Sequence, residues 1–173
     1  AAAVGLAAML MGTEADAQIL AVFPADHFIM DQAGLLEALD QGAAVAQAGY
    51  LVTFGIIPTR PDTGYGYIKA GAPLNGGKLG LHVEQFLEKP ELAKARALVQ
   101  EGGYYWNSGI FMFRRDVFLE ALARHLPELY EGLAELGRGG QEVSLEEVYQ
   151  KIPSISLDYG IMEKAANVAV SVE

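Results

Sequence analysis

Apolar and polar positions follow two different periods along this chain, and the places where one period replaces the other divide it into elements. Ala1 to Met11 is apolar almost throughout and predicts a buried helix that enters without a cap and stops at Gly12. Ile19–Phe23 is a continuous apolar run, the pattern of a strand covered on both faces. Asp31 then caps a helix to about Ala48, with Leu35, Leu36, Leu39, Ala43 and Ala46 on one face and Gly49 closing it. Tyr50–Ile56 is rich in β-forming residues and predicts a second strand. The stretch Pro58 to Gly66, with two prolines and two glycines, can only be an irregular loop.

Downstream the alternation continues. Tyr67–Ala70 reads as extended, Gly71 to Gly80 as a glycine-rich loop or hairpin, and Leu81–Leu87 as a strand ending at Glu88-Lys89-Pro90. Pro90 suits the first turn of a helix whose stripe is Leu92, Ala95, Leu98 and Val99, ended by Gly102-Gly103. Tyr104–Trp106 predicts a short strand, Asn107-Ser108-Gly109 a corner, and Ile110–Phe113 another strand. From Asp116 the helical period dominates; Ser144 with Glu147 forms a capping box, and Asp158 is read as the cap of a last short helix before a strand over Val168–Val172. Strands alternating with helices imply an α/β fold with a mainly parallel sheet and helices on both faces, in one domain over residues 1–173.

Composition narrows the function. At 173 residues and 51% hydrophobic, the chain can bury a substantial core. It has no cysteine, which removes disulfides, zinc-thiolate sites and thiol nucleophiles; the cytoplasm is the default compartment. The net charge is −10, with the Lys and Arg residues scattered, so no footprint for nucleic acid is present. A small phosphorylated ligand would need a divalent cation and a few placed basic groups. The opening apolar segment is too short to span a bilayer, which takes about 20 apolar residues, and lacks the flanks of a signal peptide.

Four polar groups stand at the end of an apolar strand or in a glycine-bearing corner: Asp26, Glu88 with Lys89, Asn107 with Ser108, and Asp158. Each alone can be a cap or turn residue; at strand ends they would share one rim, where ligands bind in open α/β sheets. Asp26 either caps its turn or ligates magnesium, which takes carboxylate oxygens and bridges phosphates. His27 is singled out only by its place beside Asp26. Glu88-Lys89 pairs an acceptor with a cation, suited to a sugar hydroxyl beside a phosphate. Gly64 and Gly66 would let a ligand approach the backbone, and Asn107 and Ser108 supply directional groups. Trp106 and Tyr105 read as core rather than as stacking platforms. No Ser–His–acid or metal-binding His spacing is present.

Five segments in order, Phe23-Pro-Ala-Asp-His27, Phe54 to Ile68, Phe86-Leu-Glu-Lys-Pro90, Trp106-Asn-Ser-Gly-Ile-Phe111 and Ser156 to Lys164, closely resemble the mannose-1-phosphate guanylyltransferases, both stand-alone and joined to a mannose-6-phosphate isomerase. The resemblance implies a Rossmann-like nucleotidyltransferase fold in which mannose 1-phosphate attacks the α-phosphorus of GTP, giving GDP-mannose and pyrophosphate, with Mg2+ as cofactor. It implies Asp26 as the magnesium ligand and, with Lys89, as a catalytic group. Gly64 and Gly66 would lie against sugar or nucleotide, Glu88 and Lys89 would face the sugar phosphate, and Asn107 and Ser108 would contact mannose. Asp158 and Tyr159 match a late acidic motif, as substrate contacts or as pocket floor.

The family's opening glycine-rich loop and its later metal-binding Asp have no counterpart here, so the resemblance implies a partial domain lacking the first strand. The expectation is that these 173 residues alone are poorly active. Partners implied are GTP and mannose 1-phosphate, with neither nucleic acid nor membrane, and a homo-oligomer is compatible. The alternatives are another sugar-1-phosphate nucleotidyltransferase, or an inactive nucleotidyltransferase-like module that binds or regulates.

Overall fold

A computed structural model describes residues 1–11, 17–77, 80–137 and 144–172. The predicted helix stop at Gly12 lies outside the described residues. In chain order the elements are α1 (Ala2–Leu10), β1 (Ile19–Val22), α2 (Gln32–Gln47), β2 (Leu51–Ile56), β3 (Tyr67–Pro73), a 3-10 turn (Leu74–Gly77), β4 (Leu81–Leu87), α3 (Leu92–Glu101), β5 (Tyr104–Arg114), α4 (Arg115–His125), α5 (Pro127–Gly137), α6 (Leu145–Lys151), a π-helical turn (Asp158–Met162) and β6 (Val168–Val172).

The six strands form one sheet in the order β1-β5-β2-β6-β4-β3, and β3 also pairs with the start of β5. β1, β2, β3 and β6 point one way, β4 and β5 the other. The α/β alternation read from the sequence is therefore present, but the sheet is mixed: β2–β6 is the parallel ladder, and the others are antiparallel. Two insertions cause this. β5 returns between β1 and β2, the two strands that α2 joins, and the glycine-rich segment after β3 turns into a β3–β4 hairpin.

Helices cover both faces. Successive strand residues point to opposite sides, so Val52 and Phe54 join Met112 and Ala169 in a cluster with Ala38, Val45 and Ala46 of α2. Leu51, Phe113, Val168 and Val170 face the other way, against Phe118 and Leu122 of α4 and Leu129 and Leu133 of α5. Phe113 and Phe118 stack with centroids 4.3 Å apart; each such buried side chain contributes about 1.5–3 kcal/mol. α1, expected to be buried, is half-buried: Gly5 and Ala8 meet α4 and α5, while Leu10 is exposed.

Two further elements depart from the expected boundaries. Asn107-Ser108-Gly109 is not a corner between two strands but a bulge inside the continuous strand β5, where Thr53 faces Phe111 and Gly55 faces Asn107. The Asn107 Oδ1 accepts from the Gly109 N–H at 3.1 Å and the Ser108 Oγ from the Ile110 N–H at 3.1 Å, so turn chemistry bends the strand without ending it. Asp158 is not a cap: Leu157 holds the cap position, and the Asp158 carboxylate faces Asn107 instead. The Ser144–Glu147 capping box and the Asp31 cap of α2 are both formed.

Candidate active site

The ends of β1 and β2, the bulge in β5 and the start of the π-helical turn enclose a cavity of about 790 Å3. Asp26, Gly64, Gly66, Glu88, Lys89, Asn107, Ser108 and Asp158 all line it. Tyr159 does not; one residue beyond Asp158, it is 47% exposed. His27 also borders the cavity.

Asn107 is the hub. Its Oδ1 accepts from the Thr53 hydroxyl at 2.8 Å, and its Nδ2 donates to Asp158 Oδ1 at 2.8 Å. The Asn107 N–H donates to Gly66 O at 2.8 Å, which ties the β5 bulge to the loop after β2. Thr53 is fully buried, and its hydroxyl is also 3.3 Å from Ile110 O. A side-chain amide thus joins a buried hydroxyl to a half-buried carboxylate, three elements in one line.

Glu88 is the electrostatic centre. Its side chain is 10% exposed; Oε1 lies 3.2 Å from the Lys89 ammonium, and Oε2 is buried with no hydrogen-bond partner. Burying half of a carboxylate unpartnered is costly, and a hydroxyl entering the cavity would satisfy it. A Cβ on Gly66 would sit 2.5 Å from that Oε2, so glycine there keeps the carboxylate in place. Lys89 occupies the left-handed region, φ 44°, at the turn where β4 ends, and its head group is largely exposed. Nearby, burial and then the charges of Glu88 and Asp158 push the Glu163 carboxyl above the ordinary Glu range.

The loop from Pro58 to Gly66 is held rather than loose. The Tyr67 hydroxyl accepts from the Asp62 N–H at 2.9 Å and donates to Asp62 O at 2.8 Å, and Arg60 pairs with the Asp62 carboxylate at 2.8 Å. The Gly64 N–H donates to Asp62 Oδ1 at 2.9 Å; that bond and Arg60 hold Asp62 below the ordinary carboxylate range. Over this loop's inner side lies Trp106, buried in the small cluster with Tyr67, Leu98 and Tyr104 as the sequence suggested, yet also lining the cavity. Tyr65 packs on it at 4.9 Å and the Arg60 guanidinium at 5.4 Å, and its indole N–H is buried without a partner. Thr53, Trp106 and Glu163 were not legible as site residues; an orphaned donor or a like-charge contact is a three-dimensional signal.

Asp26 lies in the exposed turn after β1 and has no hydrogen bond or ion pair among the described residues, so its oxygens are free for a cation. Among the described residues no group of three His, Asp or Glu could hold a metal by protein ligands alone.

A model of the family described as nucleotidyl transferase matches residues 1–148. The chain belongs to that family. It is 41% identical over 175 aligned residues to the xanthan biosynthesis protein XanB of Xanthomonas campestris pv. campestris (strain B100), covering 98% of this chain and 37% of XanB. It is 42% identical over 170 residues to the putative mannose-1-phosphate guanylyltransferase of Vibrio cholerae serotype O1, covering 94% of this chain and 36% of that protein. The nucleotidyl transferase chain therefore spans just over a third of the length of these relatives. A Thermus thermophilus crystal structure described as a mannose-1-phosphate geranyltransferase superposes with a TM-score of 0.85 at 41% identity, over 99% of this chain and 49% of that one. The nucleotidyltransferase fold expected from the sequence is thus the one found. Among the described residues, no helix is long and apolar enough to cross a membrane.

Proposed function

We propose that this chain forms the sugar-phosphate side of a mannose-1-phosphate guanylyltransferase site, transferring GMP from GTP to mannose 1-phosphate. The observation that carries the reading is the Glu88 carboxylate, one oxygen on Lys89 and the other buried and unpartnered against Gly66. A sugar hydroxyl satisfies the orphaned oxygen, and the adjacent ammonium answers the sugar's phosphate. Asn107, fixed by Thr53 and Asp158, presents a rigid edge for a second hydroxyl. The relatives named for this activity support the same assignment.

In the transfer, a phosphate oxygen of mannose 1-phosphate bonds to the α-phosphorus of GTP as the bond to the β-phosphate oxygen breaks, and pyrophosphate leaves with the electron pair. No covalent enzyme intermediate is needed; the residues align the two anions and offset their charge. Lys89 neutralises the acceptor phosphate, which the chain's net charge of −10 would otherwise repel. Asp26, whose carboxylate has no hydrogen bond or ion pair among the described residues, would be the group that holds a magnesium ion. When bound, such an ion supplies charge neutralisation at the reacting phosphates.

The test is pyrophosphate release by the protein carrying this chain, across GTP, ATP, UTP and dTTP with mannose 1-phosphate or glucose 1-phosphate. GTP with mannose 1-phosphate is expected to be fastest. Preference for another base or hexose would assign a different sugar-nucleotide pyrophosphorylase, and no release with any pair would leave a binding module.

A further inference from the structure

At the opposite end of β2 and β6 from the candidate active site, a second hollow of about 640 Å3 opens between α4, the N-terminal ends of β2 and β4, and the segment after the π-helical turn. Arg124 and His125 reach it from α4, Lys164 from the segment before β6, Tyr50 from the residue before β2 and His82 from β4, the last two rings packed edge to face at 5.6 Å. The acid among its lining residues is Glu120, whose carboxylate is 2.9 Å from Arg124. In a chain of net charge −10 this is a local inversion of sign. Arg124 and His125 stand in the last turn of α4, where a cation also answers the helix dipole. That explanation does not extend to Lys164, which comes from another element and has no ion pair among the described residues.

We propose that this hollow is a second, anion-binding site that takes a phosphate-bearing solute between Arg124, His125 and Lys164. The cations crowd one another there: burial first, then Arg124 and Lys164, hold the His125 imidazole below its ordinary range. An anion between them relieves that repulsion and returns a proton to His125. A cation is the wrong occupant, since among the described residues no His, Asp or Glu cluster forms a ligand set. The hollow also shares a segment with the candidate active site, because Glu163 feels Glu88 and Asp158 while the next residue, Lys164, lines the hollow.

The test is titration of the chain with inorganic phosphate and with pyrophosphate, read by NMR at the His125 ring. The expected result is a saturable shift together with a raised His125 titration point. Both should persist in Lys89→Gln, whose substitution removes the cation of the other cavity. The shift should weaken at least roughly tenfold in the double variant Arg124→Gln with Lys164→Gln, a loss of ~1.4 kcal/mol. Both residues are exposed, so unchanged melting of the double variant verifies its fold. A shift that never saturates, or that is unaltered in the double variant, overturns the proposal; so does one abolished by Lys89→Gln, which would place the phosphate at the candidate active site.

Discussion

Gly66 and Asn107 fix the site in different ways, and their substitutions separate shape from stability. In Gly66→Ala the new Cβ meets Glu88 Oε2 at 2.5 Å, the far end of a side chain that can swing away. The fold is expected to tolerate the change, with melting nearly unaltered. In the protein carrying this chain, the proposed guanylyl transfer should fall at least roughly tenfold, since a displaced carboxylate loses ~1.4 kcal/mol or more of positioned binding. Comparing melting curves with pyrophosphate release checks it; a fully active variant would show that Glu88 does not need this position. Asn107→Ala leaves the Thr53 hydroxyl only its longer contact with Ile110 O, at 3.3 Å, and takes the amide donor from a half-buried Asp158 oxygen. An unfolding titration is expected to show a loss of about 1–3 kcal/mol. At this scale the acids, the amide and the glycines were legible in the sequence because each stood after an apolar run or in a glycine-bearing segment, although Asn107 proves to lie within β5. Thr53 was concealed, since a threonine inside an apolar strand reads as a strand former, and so was Trp106, since an aromatic at a buried strand position is core on either account. What distinguishes them is an unpaired or paired polar atom, which no spacing records.

Elements were legible where a periodic face and a stop signal agreed, as for α2 and α3, and the start of α6 was legible from its capping box. The strand pairing was not, because alternating strands and helices say which elements follow one another and not which strand is inserted between which. β5 shows why: Asn-Ser-Gly carries turn chemistry, but the β2 and β1 ladders on its two edges hold the segment extended around a bulge. α2 offers an element-scale test at Gly42, where a Cβ would approach the Phe54 ring to 2.6 Å. Helix propensity alone favours Gly42→Ala by about 1 kcal/mol. Phe54 is locked in the cluster that joins α2 to the sheet, and overpacking costs about 1–3 kcal/mol. A lower melting temperature is therefore expected; a higher one would show that the ring moves freely.

Across the whole molecule, charge is the lever. Glu163 titrates above its ordinary value of 4.5, first through burial and then through Glu88 and Asp158. A raised carboxyl favours the folded state below its unfolded titration point, and that contribution is lost as pH rises through the raised one. Glu163→Gln is accordingly expected to raise the melting temperature at neutral pH, with the gain vanishing at pH below 4.5. A gain that persists in acid would assign it to something other than charge. Asp62 and Asp116 behave oppositely: the Gly64 N–H and Arg60 lower one, Arg114 the other, so their contribution is present above 3.8 and lost as pH falls through the lowered values.

Whether the cavity between the β5 bulge and Glu88 takes a mannose phosphate is tested most directly by the emission of Trp106, the single tryptophan of the chain and a wall of that cavity. Titrating this chain with mannose 1-phosphate and with GDP-mannose is expected to change the emission saturably, and Glu88→Gln should weaken both titrations at least roughly tenfold. Emission that stays constant while the chain remains folded, or that responds identically in Glu88→Gln, would contradict this assignment.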